Sequence, residues 1–134
     1  MEYVTDTHPL LWNLFIPKRL GRAAFAAFHE VDRGNAKLYL PAIVVSEMLM
    51  VIEKARIPKV TMQDLLDEIS LMELSQYHEL LPLLPETAVA SRTLTVIPDI
   101  FDRLIVAEAQ RLGLPLITHD SVITNSGSVN VVWD

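Results

Sequence analysis

The sequence predicts a three-layer α/β/α sandwich with a mainly parallel central sheet. Short apolar runs alternate along the chain with segments of helical periodicity, the order expected when helices cover both faces of a parallel sheet. The run Leu114 to Thr118 is short and mostly apolar, as suits a strand buried on both faces. Acids follow two of the runs at once, Asp6 after the first and Asp120 after a late one. They mark the carboxyl edge, where open α/β sheets bind ligands.

Tyr3 and Val4 are strand formers, so Glu2 to Thr5 reads as a strand leading into Asp6. Thr7, His8 and Pro9 break it and open a short helical turn, LLWNLF, with His8 and Trp12 on one face. Pro17 interrupts, and Lys18 to Gly21 is a polar link. Arg22 to Val31 has helical spacing in Ala24, Phe25, Phe28 and Val31, and Asp32 to Asn35 is its polar exit. Lys37 to Leu40 is a strand that Pro41 ends. Ile43 to Ala55 is helical, with Val44, Met48, Val51, Ile52 and Ala55 on the inner face. Glu47 lies within that stripe, where a carboxylate lacking a partner takes up a proton rather than stay charged. Thr61 and Asp64 read as a capping pair for a helix that buries Leu65, Leu66, Ile69 and Met72. Tyr77 to Leu81 is a short strand and Glu86 to Leu94 a short helix.

Ile97 to Asp120 is the stretch that concentrates chemistry. Pro98 and Asp99 start a helix, and Asp102 stands where a capping carboxylate reaches exposed backbone N–H groups. Asp102 also shares a stripe with Ile105, Val106 and Ala109, which should face the core. Gly113 ends the helix, Leu114 to Thr118 forms the strand, and His119 and Asp120 follow at its carboxyl end. Ser121 to Ser128 is polar and turn-rich, and Val129 to Trp133 is a terminal strand.

The 134 residues fit one domain, 1–134, with enough chain for a substantial core. Hydrophobic residues make up 51% and charged residues 21%, a balance that argues against disorder. No apolar run approaches the ~20 residues of a membrane helix, and Met1–Asp6 has neither the basic start nor the apolar stretch of a signal peptide, so a cytoplasmic protein is expected. Without cysteine, disulfides, thiolate catalysis and cysteine-ligated zinc are excluded. A formal charge of −6 argues against a broadly basic nucleic-acid surface and leaves room for a local one.

Right-handed crossovers bring the carboxyl ends of parallel strands to one edge. Asp6 and Asp120 share that edge, and the helices carrying Glu47 and Asp102 begin there. Two unit charges about 4 Å apart repel by roughly 4 kcal/mol at an effective dielectric of 20, so four carboxylates in one pocket need protons or a counter-charge. Arg103 is the only basic residue beside these acids in sequence. A hard divalent cation, Mg2+ or Mn2+, suits an oxygen-rich set and points to hydrolysis of a phosphodiester.

Asp6-Thr7-His8 after a first strand, Glu47 in a helix's first turn, the run Pro98-Asp99-x-x-Asp102-Arg103-Leu104-x-x-Ala107, and Ile117-Thr118-x-Asp120 together resemble the PIN-domain nucleases. Within these they are most similar to the VapC-type toxins of toxin–antitoxin pairs. The resemblance spans nearly the whole chain in the family's order. It implies a PIN-like fold and a Mg2+- or Mn2+-dependent endoribonuclease acting on RNA, a homodimer held inactive by a cognate antitoxin. It makes Asp6, Glu47, Asp102 and Asp120 the catalytic, metal-binding set. Asp6 and Asp102 would ligate the metal directly, and Glu47 and Asp120 directly or through water. Asp99 resembles an auxiliary acid and Thr118 a bordering hydroxyl residue, while Arg103 would contact RNA phosphate or pair with Asp99. The dimer is expected to use apolar surface on the early helices around Trp12 and Phe15.

Two readings from other classes compete. A PIN-like module could act through protein binding alone, although without metal chemistry a repulsive cluster has little physical reason to persist. A phospho-acceptor receiver or a phosphatase using Asp6 is the other. Receivers need a lysine at the end of a late strand, where this chain has His119-Asp120.

Overall fold

Val4, Leu38, Leu40, Leu116 and Ile117 are each at most 1% exposed, and around these strand residues the molecule is built. The computed structural model describes residues 1–134. Strand β1 (Glu2–Thr5) leads into helix α1 (Thr7–Phe15), a 3-10 turn (Pro17–Arg19) and helix α2 (Arg22–Asp32). Strand β2 (Lys37–Pro41) is followed by α3 (Ala42–Glu53) and α4 (Met62–Leu74), then by β3 (His78–Leu81), α5 (Pro85–Ala90) and a second 3-10 turn (Ser91–Thr93). Helix α6 (Ile100–Leu112), β4 (Leu116–Ile117), α7 (Ser121–Ser126) and β5 (Val131–Val132) complete the chain.

The five strands form one sheet in the order β3-β2-β1-β4-β5, and every pairing is parallel. Val4 faces Tyr39 on one side and Leu116 on the other, so β1 is central. The architecture is the expected α/β/α sandwich, with 27 buried apolar residues in one cluster.

Several boundaries differ from those expected. Helix α1 begins at Thr7 and takes His8 and Pro9 into its first turn, where proline is tolerated because that N–H has no intrahelical acceptor. Ala55 is exposed at φ +55, past the end of α3, and Leu66 is 43% exposed; neither joins the core. The segment read as Glu86 to Leu94 splits into α5 and a 3-10 turn. Ser121 to Ser126 is a helix rather than a turn-rich loop, because Asp120 caps it through Ile123 N. Strands β4 and β5 are only two residues each, flanked by the single backbone bonds Leu116 N to Asn130 O and Thr118 N to Val132 O.

Candidate functional site

Topology selects a place before any side chain is considered. The chain lays down β1, β2 and β3 outward in one direction, then returns to add β4 and β5 on the other side of β1. The crevice beyond the carboxyl ends of β1 and β4 is therefore the topological switch point, where open α/β sheets bind ligands. A cavity of about 420 Å³ opens there. Asp6, Glu47, Asp102 and Asp120 all line it, brought from β1, α3, α6 and β4, together with Thr7, His8, Trp12 and His119.

Each acid is held differently. Asp6 is buried; one carboxylate oxygen accepts the Thr7 N–H at 2.7 Å and the other the Thr118 hydroxyl at 2.7 Å. Thr118 Oγ1 in turn accepts the Asp120 N–H at 3.0 Å, which ties the end of β1 to the end of β4. The Thr7 hydroxyl donates to Glu47 Oε1 at 2.6 Å. One threonine therefore orients two acids, through its backbone and its side chain. Asp120 accepts the Ile123 N–H at 2.9 Å and is fixed as the cap of α7.

Asp102 differs from the expectation. The α6 cap is Asp99, whose carboxylate accepts both Phe101 N and Asp102 N, so Asp102 does no capping. Its carboxyl is half-buried, and no group of the chain donates a hydrogen bond to it. Burial, then the charges of Asp6, Asp99, Asp120 and Glu47, push its pKa up to about 7. Burial also raises Asp6, against the pull of Thr118 and the Thr7 N–H. Glu47 is raised by burial and by the charges of Asp6 and Asp99, against the Thr7 hydroxyl.

Arg103 supplies no counter-charge. It does not pair with Asp99: its Nε donates to the Ile97 carbonyl, and the chain's two ion pairs, Lys37–Glu79 and Arg111–Glu108, lie elsewhere. Asp99 is exposed at the rim and reaches the site only through its charge. No group of three His, Asp or Glu side chains is arranged to hold an ion by itself in this conformation. The donor set is nonetheless all oxygen and anionic. That fits Mg2+, which dehydrates reluctantly, keeps several waters and binds through one or two carboxylates.

The sequence matches the PIN domain model over residues 3–126. The chain belongs to the PIN domain family. No curated protein matches it by sequence. Among solved structures, this PIN domain is similar to VapBC2 from Rickettsia felis, bound to a fragment of its promoter DNA. That match has TM-score 0.72 and 15% identity, with 100% of each chain covered. VapC20 from Mycobacterium tuberculosis, a sarcin–ricin-loop-cleaving toxin, is similar at TM-score 0.69 and 12% identity over 97% of this chain and 98% of that one. The FitAcB structure from Neisseria gonorrhoeae is similar at TM-score 0.67 and 17% identity, with 97% and 96% covered. At these identities the likeness is one of fold.

Sequence reasoning missed five residues of this PIN domain's cavity as site members: Thr7, His8, Pro9, Trp12 and His119. Thr7 and His119 had a signal in plain view, each being the immediate neighbour of a site acid. Trp12 does not offer the outer surface expected of it. Its ring lies 5.9 Å from those of His119 and Trp133, with the Arg19 guanidinium 4.8 Å from its centre. Large exposed apolar side chains stand at Phe25 on the early helix α2 and at Leu71, Leu74, Val89, Val96 and Ile100.

Proposed function

We propose that this PIN domain is a Mg2+- or Mn2+-dependent endoribonuclease, the toxin of a VapBC-type toxin–antitoxin pair. The observation that carries the reading is the convergence of four carboxylates from four separate elements on one cavity, with Asp102 lacking any partner within the chain. The similar folds of VapBC2 and of the toxin VapC20 support it.

Asp6 and Asp102 would hold the ion directly, with Glu47 and Asp120 contributing directly or through water. When bound, a divalent ion supplies an activated water and stabilises charge developing on phosphoryl oxygens. Thr118 and the Thr7 N–H keep the Asp6 carboxylate aimed into the cavity, and the Thr7 hydroxyl does the same for Glu47. Ligands fixed in this way do not have to be ordered when substrate arrives. Hydrolysis adds water across one phosphodiester P–O bond and releases the leaving oxygen as a hydroxyl. Arg103, anchored to the Ile97 carbonyl, would present its remaining guanidinium N–H groups to RNA phosphate.

An antitoxin that covers the cavity would silence the enzyme, and the exposed apolar side chains would serve that contact or a homodimer. No helix is long and apolar enough to cross a membrane. The phospho-acceptor reading is disfavoured, since the cavity contains no lysine.

Purified protein is expected to cleave RNA when Mg2+ or Mn2+ is added. Asp6→Asn should lower the rate by roughly a thousandfold, the size of losing several kcal/mol of charge stabilisation, with the circular dichroism unchanged. Cleavage that persists in Asp6→Asn or in excess chelator would remove the metal from the reaction.

A further inference from the structure

His119 forms a wall shared by two hollows. On one side is the acidic cavity; on the other is a second cavity of about 410 Å³ that Trp133, Ser121, Thr124 and Asn125 also line. We propose that this second cavity receives one unpaired nucleobase of the RNA strand being cut. The proposal rests on the nuclease reading for the identity of the strand and on a separate set of residues for its chemistry.

The His119 ring stacks on Trp133 with centroids 4.5 Å apart and planes at 28°. Trp12 stands edge-on to both rings at 5.9 Å, so an aromatic row runs from the acids to the second cavity. Aromatic faces bind any base by stacking, and a base is available for this only when it is not paired inside a duplex. The Asn125 amide and the hydroxyls of Ser121 and Thr124 line the same hollow and can hydrogen-bond a base edge. Arg19 holds its guanidinium 4.8 Å from the Trp12 centroid. In a chain of net charge −6, it is a local cation placed where the strand's backbone would pass.

Trp133 reaches the hollow from a part of the chain remote from Asp120, whose sequence neighbours His119 and Ser121 line the other side. After the short pairing of Val131 and Val132, the chain crosses to the start of α2, where the Trp133 carbonyl accepts the Ala24 N–H at 3.0 Å. Gly21 makes the crossing possible. A Cβ there would lie 2.4 Å from the Trp133 carbonyl oxygen and 2.9 Å from its ring. Gly21 is thus a positioning residue for Trp133.

The test uses single-stranded oligoribonucleotides with a mapped cleavage position, and counterparts made abasic at one nucleotide at a time. Trp133→Leu is expected to lower kcat/KM on intact RNA at least about fivefold, the low end for losing one base–aromatic stack. Trp133→Phe should restore most of it. One abasic position should slow the unaltered protein by a similar factor and slow Trp133→Leu no further. Equal cleavage by Trp133→Leu and the unaltered protein, or equal losses at every abasic position, would overturn the subsite and leave the nuclease standing. A second arm needs no cleavage. In chelator, in a Trp12→Phe background, Trp133 fluorescence should be quenched by single-stranded RNA and not by duplex RNA. Quenching in chelator, together with no cleavage by the same protein when Mg2+ or Mn2+ is supplied, would sink the nuclease reading and keep the subsite, whereas no quenching would sink the subsite.

Discussion

Helix α6 carries two carboxylates at different depths, Asp102 in its first turn and Glu108 nearer its end, and the chain treats them in opposite ways. Glu108 is 2% exposed and fully answered: it accepts the Thr87 hydroxyl at 3.1 Å and Arg111 Nε at 2.8 Å. Asp102 is less buried, faces four other acids, and receives no hydrogen bond from the chain. The same helix therefore contains a working solution for a buried acid and, two turns away, the absence of one. A carboxylate whose charge is met by a cation of its own chain, as Arg111 meets Glu108, is structural. One held among like charges without a donor is matched to something the chain does not supply.

The comparison fails first, and most visibly, if the two acids respond alike to substitution. Asp102→Asn should lose roughly a thousandfold in cleavage rate while keeping its stability. Glu108→Ala should instead leave the Thr87 hydroxyl without its acceptor and cost about 2 kcal/mol in urea denaturation. If Asp102→Asn proves the more destabilising of the two, the distinction is lost.

The pH response gives a finer division. Asp102 binds its proton at about 7 in the folded chain against 3.8 as the ordinary value, so between those pH values the folded state holds more protons than the unfolded one. Stability of the metal-free protein should therefore fall as pH rises from about 4 to about 7. The upward shifts of Asp6 and Glu47 act in the same direction. Asp102→Asn should flatten part of that slope, and Mg2+ should raise the melting temperature more at pH 8 than at pH 5.5. An unchanged slope in Asp102→Asn would assign the effect to other groups. The smallest change is expected at Asp99, whose side chain caps α6. Asp99→Asn keeps a capping oxygen and should alter stability by no more than about 0.5 kcal/mol, measurable by urea denaturation.

Most of the fold was legible because its signals are local. Strand and helix alternation, the Thr61–Asp64 box and the Gly113 stop were all readable from neighbouring residues, and all appear. The boundaries that moved depend on contacts that local patterns do not encode. Strand β4 shrinks to Leu116–Ile117, and α7 forms because Asp120 turns its carboxylate onto Ile123 N. At the site, the residue types pointed to the four acids that line the cavity, while Thr118 entered only through the resemblance to the family. The roles of Thr7, His119 and Trp133 were hidden, because each arises from a meeting across the sheet edge. Thr7 reaches Glu47 forty positions away, and Trp133 reaches His119 only after the chain has crossed to α2.

The central claim is that Asp6, Glu47, Asp102 and Asp120 await one kind of partner, a divalent cation at the switch point between β1 and β4. A crystal soaked in Mn2+ and measured at the manganese absorption edge tests it most directly. The account predicts an anomalous peak inside the cavity, within bonding distance of Asp6 and Asp102 carboxylate oxygens. Mn2+ absent from the cavity at saturating concentration, or bound only at surface acids such as Asp99, would contradict it.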